Sequence, residues 1–251
     1  MEIRFEKDIH GALWGREEWL VSAHPSAPSR IVGGGGETLR DICPALPLMV
    51  KKIVAERRLS VQVHPNKHSS RWVGGDAKSE MWCVLKAGPI FAGFRSGVTR
   101  ADVERAIEDG SFESLLCRFD AKPGECYFIP GGLVHAIGEG TVVYEIQQSS
   151  VTNFRLYDWG RVDADGRPRQ LHVKEGLMAM NLSFPPPVPS DSVKCKYFEF
   201  YKAGEGGRRE AEDAKGWRVV YDPQADDCFL LPPGDGAVVP SGAWVTVVGS
   251  F

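Results

Sequence analysis

The sequence has no dominant charge, no long apolar run and no clustered cysteines, and each lack removes a class of protein. Lys and Arg number 30 against 33 Asp and Glu, a formal net charge of -3. A chain so balanced has no global attraction to nucleic acid or to an anionic membrane, although two or three local cations still suffice for a small anion. No stretch reaches the roughly 18 consecutive apolar residues that a membrane helix needs. The opening Met1-Glu2-Ile3-Arg4-Phe5-Glu6 is not signal-like either. The six cysteines, at 43, 83, 117, 126, 195 and 228, form no CxxC and no dense framework. They read as reduced core thiols of a cytosolic protein. The expectation is therefore a cytoplasmic chain with no nucleic-acid or membrane partner.

What the chain does have is turn chemistry. With 28 glycines and 17 prolines in 251 residues, many short strands joined by tight turns are favoured over helices. This predicts an all-β or β-rich fold. One stretch reads as helical, an insertion over residues 99–118. There Thr99 is a cap, Asp102 and Glu104 fill the first turn, and Val103, Ile107, Phe112, Leu115 and Leu116 are apolar anchors. Gly110 divides it into two short helices. The run Phe184-Pro185-Pro186-Pro187-Val188-Pro189 is stiff and unfit for a sheet interior, so it is the candidate linker. The expected organisation is a larger domain over residues 1–183, a linker over 184–190 and a small β unit over 191–251. Strand-like runs in the last part fall at 196–201, 217–221, 228–231, 237–239 and 244–248.

Polar residues inside apolar strand-like runs mark the chemistry. In Leu59-Ser60-Val61-Gln62-Val63-His64-Pro65, period two places Ser60, Gln62 and His64 on one face and the aliphatic residues on the other. In Leu48-Met49-Val50-Lys51-Lys52-Ile53-Val54, the two lysines must face opposite ways, and the inward one needs an anionic partner or substrate. Lys78 and Glu80 share parity at the start of another strand. His135 follows a Pro130-Gly131-Gly132 turn in a further one. Gln62, His64, Glu80 and His135 together offer an amide oxygen, two imidazoles and a carboxylate, a donor set suited to Zn²⁺ or another divalent ion. By residue type alone, each histidine reads equally well as a ligand and as a buried hydrogen-bonding residue.

The spaced motifs add a resemblance. Leu46-Pro47-Leu48-Met49-Val50-Lys51, Leu59 through Pro65, Lys78-Ser79-Glu80-Met81-Trp82, the spacing Gly124-x5-Pro130-x4-His135-Ala136-Ile137-Gly138, and Glu145-Ile146-Gln147-Gln148-Ser149-Ser150 leading to Arg155 occur in that order. In this order they resemble type I mannose-6-phosphate isomerases in their short bacterial form, members of the cupin superfamily. The likeness runs from Trp14-Gly15 through Arg169-Gln170-Leu171-His172 and more faintly beyond. It implies a cupin jelly-roll barrel with a short helical insertion and a smaller C-terminal β unit. It also implies Zn²⁺ held by Gln62, His64, Glu80 and His135. The implied reaction interconverts mannose 6-phosphate and fructose 6-phosphate through a cis-enediol. Glu145 would be the proton-transfer base, and Arg155 would steady the developing oxyanion or substrate oxygens. Lys51, Ser60 and Lys78 would complete the pocket, Lys78 also serving at the reacting end. The partner is a small sugar phosphate, and the chain is expected as a monomer or homodimer.

One departure stands out. Where relatives commonly read Ser-Ser-Asp-x-Thr-Tyr-Arg, this chain has Ser149-Ser150-Val151-Thr152-Asn153-Phe154-Arg155, without the acidic residue. Two alternatives follow: a cupin that binds a sugar phosphate without turnover, and another metal-dependent cupin enzyme such as an oxygenase. The neutral Gln62, in place of a histidine, argues against redox iron.

Overall fold

The computed structural model describes residues 2–163, 165–204, 208–209, 216–235 and 238–248. Ala237, in the expected 237–239 strand, and residues 249–251 of the expected C-terminal unit lie outside the described residues. Two antiparallel sheets form the body. The first has the order β1 (Asp8–Ala12), β2 (Gly15–Ser22), β3 (Leu48–Ala55), β10 (Val142–Gln148), β5 (Glu80–Lys86) and β8 (Cys126–Ile129). The second runs β11 (Phe154–Tyr157), β4 (Val61–Val63), β9 (His135–Ile137), β6 (Gly88–Phe94) and β7 (Leu116–Ala121). Strands adjacent in space are mostly distant in sequence, as in a jelly roll rather than a meander.

Period-two alternation sorts side chains into three layers of core. The inner faces of both sheets contribute Ile53, Trp82, Val84, Ile90, Ala92, Ile129, Ile137 and Val143 to one cluster. The outer face of the second sheet, with Val61, Val63, Phe91 and Ala136, is covered by the helical elements. These are α3 (Arg100–Asp109), the 3₁₀ turn Phe112–Leu115 and α4 (Val173–Ala179), joined by Val73 of the single turn α2 (Ser70–Val73), while α1 (Leu39–Ile42) is a single turn elsewhere. Thr99 caps α3 in a reciprocal box with Asp102, and Gly110 ends it at φ 78°, a left-handed conformation that glycine adopts without strain.

The outer face of the first sheet presents Leu48, Val50, Met81, Tyr144 and Ile146. They share a core with Phe198, Phe200, Val219, Tyr221, Leu230 and Trp244 of the C-terminal part. That part is a sheet of β12 (Ser192–Lys194), β13 (Glu199–Lys202), β18 (Trp244–Val248), β15 (Trp217–Asp222) and β16 (Asp227–Leu231), beside a short pair of β14 (Arg208–Arg209) and β17 (Val238–Val239). Residues 184–190 carry no strand or helix. They lie along Phe128, Pro130 and Leu133, and Ser190 N–H donates to the Cys126 carbonyl at 2.9 Å.

The thiols correct one expectation. Cys83 and Cys126 are directly opposite each other in the β5–β8 register and are joined as a disulfide. Cys43, Cys117, Cys195 and Cys228 are free. A reduced set of six was expected because the cysteines form no CxxC and no dense framework and several lie in apolar runs. Register brings the two sulfurs together, since residues directly opposite on antiparallel strands have their Cβ atoms about 4.5–5.5 Å apart.

Candidate metal centre and its cavity

The inward faces of β2, β3, β4, β10 and β11 converge on one cavity of about 230 Å³, lined by Lys51, Ser60, Gln62, Lys78, Glu145, Arg155 and others. His64, Glu80 and His135 are almost fully buried, each at 1% exposure. Their potential ligand atoms all lie within 4.8 Å of one another. Each is placed by strand register. Gln62 is the direct partner of His135 across β4–β9, and Glu80 opens β5 at its pairing with Gln147. The Pro130-Gly131-Gly132 turn closes on the end of β4, with Gly132 N–H donating to the His64 carbonyl at 2.8 Å. A Cβ on Gly131 would stand 2.7 Å from the Pro65 carbonyl oxygen, so only glycine allows this approach.

The histidines are oriented from behind. Nδ1 of His64 lies 2.9 Å from the Thr152 carbonyl, and Nδ1 of His135 lies 2.8 Å from the Leu133 carbonyl. A carbonyl only accepts, so each Nδ1 carries the proton and each Nε2 keeps its lone pair toward Glu80. Nε2 of His64 is 3.0 Å from Glu80 Oε1, and Nε2 of His135 is 3.7 Å from Glu80 Oε2. Burial pushes both imidazoles toward the neutral form, His135 to about 3. For Glu80, burial opposes ionisation, but Lys78 and His64 outweigh it and hold the carboxyl well below its usual range. Gln62 presents Nε2 to His135 at 3.3 Å, while its Oε1 accepts from Asn153. A half-turn of the amide exchanges the two atoms and aims Oε1 at the cluster.

Ion pairs structure the rest of the wall. Lys78 Nζ sits 2.5 Å from Glu80 Oε1. Lys51, buried at 6% exposure, is the inward lysine that alternation requires; it pairs with Glu17 at 2.7 Å and stands over the Trp19 ring. Lys52 turns the other way, to Glu18 and Asp226. Glu145, opposite Lys51 in the β3–β10 register, is buried. Burial and the neighbouring Glu80 raise its carboxyl to about 8, against Lys78 and Lys51. Arg155 is opposite Gln62 and donates through Nη1 to the Gln170 carbonyl at 2.7 Å.

All nine residues singled out from the sequence thus meet at one cavity or its floor. Glu17, Trp19, Trp82, Asn153 and Arg169 were not singled out. For Trp82 a signal existed, since it shares parity with Lys78 and Glu80. For Glu17 and Trp19 the alternation of β2 gave the same hint. Val151, at the departure from the common motif, lines the cavity mouth and is 57% exposed. His172 lies outside the cavity, accepting the Arg155 backbone N–H through Nδ1 at 3.2 Å.

Known proteins share this architecture and much of the sequence. The chain is 30% identical over 269 aligned residues to mannose-6-phosphate isomerase ManA of Bacillus subtilis, covering 88% of this chain and 84% of that one. The chain belongs to the mannose-6-phosphate isomerase family. The Streptococcus mutans mannose-6-phosphate isomerase is 32% identical over 72% of this chain and 62% of its own length. No protein-family model matches the chain. Among solved structures, a mannose 6-phosphate isomerase from Bacillus subtilis superposes with a TM-score of 0.78 at 22% identity, covering 98% of this chain and 99% of that one. A mannose 6-phosphate isomerase bound with zinc and yttrium reaches 0.68 at 14% identity over the whole of both chains. These structural likenesses show that the jelly-roll fold with its added β sheet is the fold of the family's enzymes. Among the described residues, no helix is long and apolar enough to cross a membrane.

Proposed function

We propose that the chain is a zinc-dependent mannose-6-phosphate isomerase, interconverting mannose 6-phosphate and fructose 6-phosphate through a cis-enediol. The observation that carries the metal half of this reading is the buried His64, Glu80 and His135 cluster. Nε2 of His64, its lone pair turned to Glu80 at 3.0 Å, has no hydrogen-bond donor there, and the ligand atoms of all three residues lie within 4.8 Å of one another. Buried polar atoms left this way cost free energy unless something occupies the space between them. Two imidazoles with free Nε2 lone pairs, one carboxylate and one amide oxygen suit Zn²⁺, with Gln62, His64, Glu80 and His135 as its ligands. When bound, a divalent ion supplies Lewis-acid polarisation of the sugar's carbonyl and hydroxyl oxygens.

The other roles follow from the cavity wall. The open-chain aldose must lose a proton from C2 and regain one at C1, a transfer that a single base facing both carbons serves, while O1 gains a proton as the enediol forms and O2 gives one up as it collapses. Glu145 is the carboxyl on the inward face of β10 that is not a candidate ligand, and it faces the cavity beside Lys51 and Lys78. It takes the C2 proton, exchanges it with solvent and delivers a proton to C1. Lys78, held at Glu80, and Arg155, opposite Gln62, face the oxygen that gains negative charge as the enediol forms. Lys51 and Ser60 complete the contacts to the sugar. The wall excludes bulk water with Trp14, Trp19 and Ile53.

Incubating the protein with fructose 6-phosphate and Zn²⁺ in deuterated solvent tests the reading. The expected result is mannose 6-phosphate carrying deuterium at C2. Neither product nor label, from a folded and metal-loaded sample, sinks it. Binding of the sugar phosphate without exchange, unchanged by Glu145→Ala, would instead favour a non-catalytic role.

A further inference from the structure

One cationic side chain on the cavity wall has no part in the roles above, and that is Arg169. Its guanidinium is seated on Asp158 through two parallel bonds, Nε to Oδ2 at 2.7 Å and Nη2 to Oδ1 at 2.6 Å. Arg161 holds the same carboxylate from another side. The sequence suggests that Asp158 is a turn residue, yet it is buried at 6% exposure as the base of this double fork. A guanidinium is planar and rigid. With one edge committed to Asp158, the remaining Nη1 points away from it, and among the described residues Nη1 makes no hydrogen bond.

The charge around the cavity is uneven. Lys51 is answered by Glu17 and Lys78 by Glu80. On the other edge stand Arg155 and Arg169, and the carboxylate beside them, Asp158, is shared with Arg161 outside the cavity. Nε of Arg155 is buried there without a partner. The surplus positive charge therefore lies on the arginine edge, where a dianion is best compensated.

Strand register fixes where that edge lies. Arg155 is level with Gln62, and Tyr157 with Val61. Beyond them Trp159 Nε1 donates to the Leu59 carbonyl at 2.6 Å, and Arg161 Nη1 donates to the Arg58 carbonyl at 2.5 Å. Asp158 thus stands near Ser60, two residues along the strand from Gln62, which is about 6.6 Å. An extended hexose with C1 and C2 at the metal end can span that distance with its C6 phosphate. Ser60 is buried and lines the same cavity.

We propose that Arg169, aimed by Asp158 and facing the Ser60 side of the cavity, binds the phosphate of the hexose phosphate. This edge, rather than the neutralised lysines, then sets the preference for a phosphorylated sugar. The proposal rests on the sugar-phosphate isomerase reading. Arg169 is a substrate-binding residue and Asp158 a positioning residue that acts through it.

The test uses the metal-loaded full chain and the variants Arg169→Ala, Arg169→Lys and Asp158→Asn, with inorganic phosphate as the probe. In Arg169→Ala the KM for mannose 6-phosphate should rise about tenfold to a hundredfold while kcat stays within about threefold. The inhibition constant of inorganic phosphate should rise by the same factor. Arg169→Lys, which keeps the charge but loses the fork, should fall between. Asp158→Asn should move KM and phosphate inhibition the same way by less. A folded Arg169→Ala with unchanged KM and unchanged phosphate inhibition overturns the proposal, as does a fall in kcat at constant KM. If Arg169→Ala does not fold, unchanged phosphate inhibition in Arg169→Lys overturns it equally. Should the wild type not isomerise at all, the activity reading fails on its own. Calorimetric phosphate binding to wild type and Arg169→Ala then decides the clamp separately.

Discussion

Nε1 of Trp82 lies 3.1 Å from Oε2 of Glu80 and 2.9 Å from Oε2 of Glu145, so one indole joins the candidate metal ligand to the candidate base. Both carboxylates are buried, and a donor shared between them fixes their separation. Trp82→Phe removes the donor together with part of the buried indole volume, so its kinetics are read beside the unfolding midpoint of the variant. Each lost hydrogen bond to a charged group is worth about 1.5–3 kcal/mol. The expected outcome is a fall in kcat of roughly tenfold or more with metal content retained. Paired metal analysis and steady-state kinetics check it, and an unchanged kcat would remove Trp82 from the machinery.

His135→Ala and Glu145→Gln separate ligand from base. Loss of one of two imidazoles should abolish both metal retention and activity, since the remaining donors no longer enclose the ion. Glu145→Gln should keep the metal and lower kcat by about a hundredfold to ten-thousandfold, the usual contribution of a positioned proton-transfer group. Metal content measured after dialysis, beside activity, distinguishes them. Metal lost from Glu145→Gln would make that residue a ligand instead.

Asp158 should give the fold an acid-sensitive element. Burial opposes its ionisation, but Arg169 and Arg161 outweigh burial and hold its pKa below the usual 3.8. A depressed carboxyl contributes stability that is fully present above its unfolded pKa and is lost as pH falls through the folded value. Wild type should therefore be more stable than Asp158→Asn above about pH 4, with the difference shrinking at lower pH. Thermal unfolding midpoints across pH 3 to 7 (a range set by that unfolded value) check this. A gap that stays constant with pH would rule out the linkage.

Phe112 tests how firmly the helical insertion is fastened. It is fully buried, stacks on Tyr157 with ring centroids 5.7 Å apart and meets Phe94 at 6.2 Å. Phe112→Ala should cost about 3–5 kcal/mol of stability. Denaturant unfolding measures it, and a loss under 1 kcal/mol, the scale of a surface change, would mean that the insertion packs loosely.

Local chemistry was legible in the sequence wherever a strand or cap fixes it. The alternation of residues 59–64 gave the inward face of Ser60, Gln62 and His64, and the opposed lysines gave an inward Lys51 that needed an anion. Thr99 and Gly110 marked where α3 starts and stops. What stayed hidden depends on partners far away in the chain. Arg169 reaches the cavity only because Asp158 at the end of β11 seats it, and that position is set by the pairing of β11 with β4. Glu17 finds Lys51 across a pair of strands 34 residues apart. Cys83 meets Cys126 through register, to which spacing is blind. The motif order, by contrast, named the family from widely separated fragments.

The donor atoms of the metal cluster come from β4, β5 and β9, whose pairings run to strands on both sheets. Gln62 and His64 come from one short stretch, but Glu80 and His135 reach them only through pairing between distant strands. The geometry of the cluster exists only after the long-range pairings that bring the sheets face to face, the slow part of folding for a β topology. On the proposed zinc reading, uptake of the ion would come late and seal a finished barrel, so the rate at which an unfolded chain regains tight metal binding would be a clock for closure of the whole body.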